Sequence, residues 1–450
     1  MKNKANTLDL TTGSPLKQIL LFSIPLVLGT LFQQLYSFVD TIMVGRFIGE
    51  SALASVGVTY SLHFLVLGFV QGACVGFGIP LAQAVGSQKE AEIKKDFWNA
   101  TWICCITSII LTAVTLLSAN GLLKLIQTPE DIFKDALIYI SIMFLGIPAS
   151  ILYNFCASAL RAYGDSKRPF YFLLVSSFLN ILLDYIFIVV IPFGIAGAAA
   201  ATVISQLVSG ILNLWWIIFK TTMIKDSKSF MAFSPSHCKK LSIIAFPMGF
   251  EYSISAIGAV VMQGAINSFG SIVVAGQTSG EKIRQMFTLP MESVGMGMAT
   301  YVGQNLGAGR IDRIKAGIKA GIQIQWTYCC FAWIAIFLGK NAFTYLVLGE
   351  STSTTAALSI EYLSIISVLF FIHGALMIMR NTLQGMGYSM HAVLSGVAEL
   401  IGRSLGGMLA VWGLGFFGIC IANPLAWGFA LIYCFFMVRH FLEKIQISNQ

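Results

Sequence analysis

The chain has 450 residues, of which 56% are hydrophobic and only 11% are charged. A soluble globular domain carries about 25% charged residues, so this composition excludes that class and indicates an integral membrane protein. The net charge is +8, but the basic residues are scattered over loops rather than gathered in a stripe with aromatic residues. This distribution argues against a nucleic-acid partner.

Twelve apolar segments follow one another along the chain. Each is near the length of about 20 residues that a helix needs to cross a bilayer. The predicted segments are 16–43, 52–80, 97–119, 132–160, 169–191, 195–219, 238–269, 273–302, 315–338, 357–385, 392–413 and 416–438. They predict an all-α polytopic membrane protein with twelve transmembrane helices.

An internal repeat divides these segments into two sets of six. Pro25 in the first segment matches Pro247 in the seventh, 222 positions later. Three further motifs match in register: Gln83-x-x-Gly86 with Gln304-x-x-Gly307, Leu160-x-x-x-Gly164-x-Ser166 with Leu383-x-x-x-Gly387-x-Ser389, and Gly194-x-x-Gly197 with Gly415-x-x-Gly418. Because six is an even number, both copies insert with the same orientation, and the repeat is parallel.

The longest polar connection joins the two halves and is basic. It predicts an N-lobe at 1–220, a cytoplasmic linker at 221–240 and a C-lobe at 241–450. With both termini in the cytoplasm, twenty Lys and Arg residues lie in inner loops and four in outer loops. Because cytoplasmic loops carry the excess of positive charge, we expect a multi-pass protein of the cell membrane with both termini inside.

Two acidic residues of the first half lack a counterpart in the second, where Met262 aligns with Asp40 and Gly407 with Asp184. A charged side chain at the bilayer centre costs about 2.5–3.5 kcal/mol on insertion scales, so such residues usually face a cavity and mark function. Asn180 precedes Asp184 by one helical turn and shares its helix face. This pattern makes Asp40, Asn180 and Asp184 the first candidates for a site.

Two other polar side chains stand in apolar runs next to this group, Asn154 on the preceding helix and Thr202 on the following one. If Asp40 and Asp184 face one cavity, the pair can bind and release H⁺ near neutral pH. It can equally bind Na⁺, because hard cations prefer oxygen ligands. The alternatives are an interfacial acid for Asp40 and a structural, hydrogen-bonded acid for Asp184.

The second half offers two secondary candidates. Glu251 follows Pro247 by one helical turn. His373 is expected to hydrogen-bond in the core rather than shuttle protons. The spacing of Glu399 and Arg403 instead favours an internal salt bridge on one helix.

Pro25 and Pro247 lie inside predicted helices at matched positions. A proline removes one helical hydrogen bond, so each predicts a kink, and we interpret the two residues as hinges.

Several catalytic motifs are missing from the sequence. No GxxxxGK[ST] loop occurs, so ATP hydrolysis by that route is not expected, and no HExxH or nucleophile elbow is present. We therefore expect a protein that is not an enzyme, needs no cofactor and takes energy from an ion gradient. One charge crossing 100 mV supplies about 2.3 kcal/mol.

Three segments are the most distinctive parts of the sequence: 302–309 (VGQNLGAG), 160–166 (LRAYGDS) and its repeat 383–389 (LQGMGYS). Through these segments, together with Pro25 and Asp40, the chain resembles the multidrug and toxic compound extrusion (MATE) family, in its prokaryotic DinF-like branch. The resemblance covers nearly the whole length of the chain. The resemblance implies a V-shaped fold of two six-helix lobes. It also implies export of small organic, cationic compounds in exchange for H⁺ or Na⁺ by alternating access.

The DinF-like pattern has an Asp in the first helix, Asn-x-x-x-Asp in the fifth and a Thr in the sixth. The matching residues here are Asp40, Asn180, Asp184 and Thr202, with Asn154 at the associated fourth-helix position. Other members rely on a seventh-helix Glu, which Glu251 matches loosely, and on a tenth-helix Asp, which is missing from this chain. A cation site in the second lobe is therefore a minor hypothesis.

Two other functions fit the sequence less well than an ion-coupled exporter. A flippase for lipid-linked oligosaccharide or peptidoglycan precursors is the alternative within the same superfamily, but it typically has about two more helices and a cationic cavity. A channel or a membrane sensor would need a pore-lining ring or a soluble signalling domain, and the sequence shows neither.

Overall fold

The structure is a computed structural model that describes residues 7–349 and 352–448, and within them all side chains except those of 228, 252, 255–257, 259–261 and 448. The predicted cytoplasmic ends of the chain, 1–6 and 449–450, lie outside the described residues. Over the described ranges the chain forms helices and no β-strand.

Fourteen α-helices follow one another in these ranges. They are α1 Pro15–Phe47, α2 Glu50–Gly86, α3 Glu90–Leu125, α4 Glu130–Leu145, α5 Ile147–Ala162, α6 Lys167–Asp184, α7 Ile195–Lys220, α8 Pro235–Asn267, α9 Ser271–Gly307, α10 Ile311–Leu348, α11 Thr354–Val368, α12 Phe370–Gly385, α13 Ser389–Leu409 and α14 Gly415–Ser448. Two π-helical turns, Tyr185–Val190 and Ala410–Leu414, continue α6 and α13, and a 3₁₀ turn covers Lys228–Phe230.

Two pairs of helices are bent at repeat-related positions. The bend between α4 and α5 is 43° and that between α11 and α12 is 52°. Each pair fills one predicted segment. The described helices therefore match the twelve predicted segments one to one, and the predicted fold class is confirmed. By length and apolar composition alone, seven segments could cross a membrane, or up to nine when each bent pair counts as one span.

The repeat also appears in the backbone of the turns. Gly194 and Gly415 adopt φ values of +60° and +56°, and Gly164 and Gly387 adopt +93° and +87°. Glycine enters this region readily because it has no Cβ atom. The repeated glycine motifs therefore mark the same turns in both halves of the sequence.

Contacts divide the chain into two compact units. Among the described residues, unit 1 contains 7–8 and Leu28–Gly249, and unit 2 contains Asp9–Val27 and the chain that follows Gly249. The units therefore differ from the predicted lobes, 1–220 and 241–450. The first part of α1 belongs to unit 2, and the first part of α8 belongs to unit 1.

Close glycine packing explains this exchange. In unit 1 a Cβ atom on Gly76 of α2 would lie 2.5 Å from the Cα atom of Ala245 in α8. In unit 2 the equivalent Gly297 of α9 packs against the side chain of Ser23 in α1, where no backbone atom is among the three nearest. Gly297 follows Gly76 by 221 positions and Ala245 follows Ser23 by 222. The repeat thus places a glycine at the matching helix contact in each unit, against backbone in unit 1 and against a side chain in unit 2.

Aromatic packing in unit 1 reinforces the contact between α2 and α8. Phe246 lies edge-on to Phe77 with ring centroids 6.3 Å apart, and Phe77 lies edge-on to Phe155 of α5 at 6.4 Å. Such edge-to-face pairs contribute beyond the area they bury. The first part of α8 is therefore part of the core of unit 1.

The polar stretch before α1 is fixed to unit 2 by the 302–309 segment and by Arg313 of α10. Gln304 accepts a hydrogen bond from the Leu10 amide at 3.2 Å, and Asn305 donates to the Leu10 carbonyl at 3.1 Å. The Arg313 guanidinium donates to the carbonyls of Leu10 at 3.1 Å and Thr12 at 3.0 Å. This segment thus anchors the start of α1.

Candidate functional site

Asp40 and Asp184 meet inside unit 1. Asp40 lies in the second half of α1, and Asp184 is the last residue of α6, just before the π-helical turn. The two carboxyl groups lie within hydrogen-bonding reach of each other. Asp184 is fully buried, with an exposed fraction of 0%. Two carboxylates this close repel each other unless a proton or a cation lies between them.

Asn180 lies one turn before Asp184 on α6 and is 1% exposed. Within the described part of the chain its amide atoms have no hydrogen-bond partner, and no N–H or hydroxyl group donates to the two Asp184 oxygens. Buried polar groups are normally paired. Asp184 and Asn180 therefore offer buried ligand atoms without a donor, beside the partly buried Asp40.

Two tyrosines that could not all be identified from the sequence lie close enough to the carboxyl pair to interact with its charge. They are Tyr36 of α1 and Tyr139 of α4. Tyr36 precedes Asp40 by one helical turn, so helical spacing could have identified it. Tyr139 belongs to an apolar run, and its sequence context gives no comparable signal.

The other two predicted members of the site bond within their own helices. Asn154 donates to the Ser150 carbonyl at 2.8 Å, and Thr202 donates to the Ala198 carbonyl at 3.2 Å. No hydrogen bond recorded among the described residues joins either side chain to Asp184. Their role at the site stays a prediction.

A small polar cavity lies in the same unit and shares Tyr36 with the carboxyl site. Its lining residues include Gln33, Tyr36, Tyr153, Ser176, Ser205 and Gln206. Hydroxyl and amide groups predominate among them, so polar side chains extend from Tyr36 away from the acid pair.

The buried acids of unit 2 differ from the Asp40–Asp184 pair because they form ion pairs with basic side chains. Glu251 lies 3.4 Å from the Arg380 guanidinium and accepts a hydrogen bond from Gln384 at 2.8 Å. Arg380 also donates to Glu399, and Glu399 lies 3.7 Å from Arg403. The salt bridge predicted from the spacing of Glu399 and Arg403 is thus confirmed. The anionic charge of Glu251 is compensated within the protein.

This network continues from α13 to α9. Arg403 donates to Asn423 at 3.1 Å, and Asn423 lies 3.4 Å from the Tyr362 hydroxyl. Tyr362 donates to Glu281 at 2.6 Å, and Glu281 accepts a further bond from Arg284 at 2.9 Å. The buried charges of unit 2 therefore form a connected network of ion pairs and hydrogen bonds.

Comparison with known proteins decides the family. The MatE family model matches residues 25–186 and 247–405, beginning at the two repeat-related prolines. The chain belongs to the MatE family of multidrug and toxic compound extrusion transporters. The repeat, the helical fold and the buried acids agree with this assignment.

Similar members support it. The probable multidrug resistance protein YpnP of Bacillus subtilis is 32% identical over 68% of this chain and 68% of its own length. The probable multidrug resistance protein YoeA of the same organism is 25% identical over 95% of this chain and 94% of its own length. A solved outward-facing multidrug resistance MATE transporter of the MOP superfamily is similar in fold, with a TM-score of 0.92 at 22% identity. It covers 99% of both chains.

His373 of α12 differs from its expected environment in this MATE protein. Its side chain is 5% exposed, and neither ring nitrogen has a hydrogen-bond partner in the described ranges. The ring instead packs on Trp427, with centroids 4.6 Å apart. The expected core hydrogen bond is therefore not seen, and the ring is held by aromatic packing.

The two predicted hinge prolines lie where the chain changes unit. Pro25 is inside α1 and Pro247 is inside α8. In both helices the boundary between units falls two residues after the proline, at 27/28 and at 249/250. The hinge role stays a prediction, and this coincidence supports it.

Proposed function

We propose that this MATE protein is a secondary antiporter of the cell membrane. It exports small organic, cationic compounds in exchange for H⁺ or Na⁺ by alternating access, with both termini in the cytoplasm. One observation carries the proposal: Asp40 and Asp184 face each other with no ion pair to any Lys or Arg of the described chain. The negative charge of the two carboxylates therefore requires a counter-ion that binds reversibly.

The exchange follows from this charge. When H⁺ or Na⁺ binds between Asp40 and Asp184, it removes the negative charge that attracts a cationic substrate. The substrate is then released on the side to which the site is open. After the protein reorients, the ion leaves and a new substrate cation enters. The amide oxygen of Asn180 and the hydroxyl of Tyr36 are suitable further ligands for Na⁺.

Reorientation requires flexible points in long helices. Pro25 and Pro247 each remove one helical hydrogen bond. Each lies two residues before the position at which its helix changes from one unit to the other. We therefore assign the hinges to these two positions.

Glu251 is a weaker candidate for ion coupling. Arg380 already supplies its counter-charge at 3.4 Å, so a cation would have to displace an internal ion pair. The first unit is the better-supported place for the coupling ion.

The test is flux of an ethidium-like cation in proteoliposomes under imposed pH or Na⁺ gradients. Wild-type protein should move the cation under at least one gradient, and Asp40→Asn should lower this flux at least tenfold while remaining monodisperse. The control is Asp131→Asn, which changes an exposed acid in the first turn of α4 and should transport like the wild type. Undiminished flux in Asp40→Asn, or no gradient-driven flux in the wild type, contradicts the proposal.

A further inference from the structure

Three metal-ligating side chains meet at the start of α3 and of α8, away from the carboxyl pair. Glu92 and Asp96 are one turn apart on α3 and share a face, and His237 is in the first turn of α8. One ligand atom from each lies within 4.8 Å of the other two. All three residues belong to unit 1.

The distances suit a small divalent cation. The His237 Nε2 atom lies 3.4 Å from the Asp96 Oδ1 atom and 3.5 Å from the Glu92 Oε2 atom. Around a tetrahedral Zn²⁺ ion with bonds of about 2.0–2.2 Å, two ligand atoms lie about 3.3–3.6 Å apart. Both measured separations fall in that range.

A second observation points to a missing ligand. Asp96 is 3% exposed, yet its Oδ1 atom has no hydrogen-bond partner among the described residues, and neither has the Nε2 atom of His237. The two atoms face each other at 3.4 Å without forming a hydrogen bond, and they are an ion pair only if His237 is protonated. Burying such groups without a partner is costly, and a metal ion between them removes that cost.

The charge also balances. Two carboxylates and a neutral imidazole compensate one divalent cation. Lys240 and Lys95 also act on Asp96 electrostatically, and they compensate part of its charge when no metal is bound. Three protein ligands leave the fourth position of a tetrahedral site for water, whereas a closed structural zinc site has four protein ligands.

The site lies at the end of a row of contacts between α3 and the connection before α8, residues 221–234. Trp98 donates to the Ser227 hydroxyl and Trp102 to the Met231 carbonyl, both at 2.9 Å. Asn99 accepts from the Ser234 amide at 2.8 Å. A metal bound by His237, Glu92 and Asp96 would add a further link between α3 and the chain that follows this connection.

We propose that Glu92, Asp96 and His237 bind a divalent transition metal of the Zn²⁺ class, which clamps the 221–234 connection onto α3. This inference does not depend on the transport mechanism proposed above. It assigns the metal a structural role at the connection that joins the two halves of the sequence.

Co²⁺ titration of chelator-treated, detergent-purified protein tests the site, because Co²⁺ absorption reports the ligand type. We expect one equivalent to bind with weak bands of oxygen and nitrogen ligands. Asp96→Asn and His237→Asn should each weaken binding at least tenfold. Glu92→Gln, at a partly exposed position, should weaken it less and is the variant least harmful to folding. His391→Asn, which changes a histidine bonded to Tyr433 in unit 2, should bind like the wild type.

Trypsin cleavage after Lys225 tests the clamp separately. Zn²⁺ should slow this cleavage at least fivefold in the wild type and leave it unchanged in His237→Asn. The site is overturned by no binding, by wild-type affinity in Asp96→Asn or His237→Asn, or by intense thiolate-to-cobalt bands that place the metal on cysteine. Binding at the site with an unchanged cleavage rate overturns the clamp.

Discussion

Asn180 is a buried side chain whose amide atoms make no hydrogen bond in the described part of the chain. An unpaired buried polar group costs about 1–3 kcal/mol, so Asn180→Leu should raise the melting temperature of the purified protein. The same change removes a ligand atom beside Asp184, and gradient-driven efflux should fall at least tenfold. Thermal unfolding and proteoliposome flux, measured on one preparation, check both effects.

The matched control for this change is Asn213→Leu on α7. Asn213 is also fully buried, and its amide nitrogen donates to the Ser209 carbonyl at 2.7 Å, while its amide oxygen has no partner in the described part of the chain. Because this change removes a hydrogen bond that Asn180 lacks, it should raise the melting temperature less than Asn180→Leu does, and it should leave efflux intact. If Asn180→Leu behaved in the same way as this control, Asn180 would be a structural residue and not a ligand.

Arg380 compensates two buried acids, Glu251 and Glu399. Removing one partner of a buried ion pair costs about 3–5 kcal/mol, because the remaining charge is left unpaired. Arg380→Met should therefore lower the melting temperature markedly. Adding Glu251→Gln should restore part of the loss, because Glu251 loses its basic partner whereas Glu399 keeps Arg403. A double variant as unstable as Arg380→Met would show that packing of the Arg380 side chain, and not its charge, is what matters.

Sequence reasoning identified single residues better than their partners. Asp40 and Asp184 stand out because acids are costly in apolar segments, and the structure brings them together. The partner of Glu251 could not be predicted, since Arg380 lies 129 positions away and only tertiary packing joins them. The Glu399–Arg403 bridge could be predicted because both residues lie on one helix face.

At the scale of single helices, the contact between α2 and α8 depends on glycine. A Cβ atom on Gly76 would lie 2.5 Å from the Cα atom of Ala245, so Gly76→Ala must push the two helices apart. Overpacking of this kind costs about 1–3 kcal/mol, and the melting temperature should fall. Thermal unfolding of the detergent-purified variant measures this loss.

Gly57→Ala on the same helix is the control, because no atom lies within 4 Å of its added methyl group. Alanine favours a helix over glycine by about 0.5–1 kcal/mol, so this change should leave stability equal or higher. A loss of the same size in both variants would mean that the close contact at Gly76 is unimportant.

The bends in the helices were only partly predictable. The segment 132–160 was expected as one helix, but it breaks at Gly146. Pro148 explains that break locally, because proline cannot donate the helical hydrogen bond. The equivalent break at Leu369 has no proline beside it. Only the internal repeat, whose offset is 223 positions here, relates the break at Leu369 to the break at Gly146.

For the molecule as a whole, twelve helices and a parallel repeat could be predicted because apolar length and internal matches are visible in the sequence. The division into units could not. Lipid is as apolar as a protein core, so hydropathy does not show which part of a membrane helix packs on which neighbour. The exchange of Asp9–Val27 and of the first part of α8 between units therefore lies beyond what the sequence pattern predicts.

This exchange makes the two halves of the sequence depend on each other for folding. A fragment of residues 1–224 lacks the part of α8 that completes unit 1, and a fragment of 225–450 lacks Asp9–Val27, which belongs to unit 2. Each fragment expressed alone should aggregate on size-exclusion chromatography. The two expressed together should form one monodisperse species that melts near the intact chain.

A longer fragment of residues 1–249 separates this explanation from a general effect of cutting the chain. It restores Ala245 beside Gly76 and Phe246 beside Phe77, and so it should be more stable than 1–224 when both are expressed without a partner. Independent lobes divided at 221–240 would instead give a 1–224 fragment that folds alone and gains nothing from the added helix. That result would show that the exchanged segments do not hold the units together.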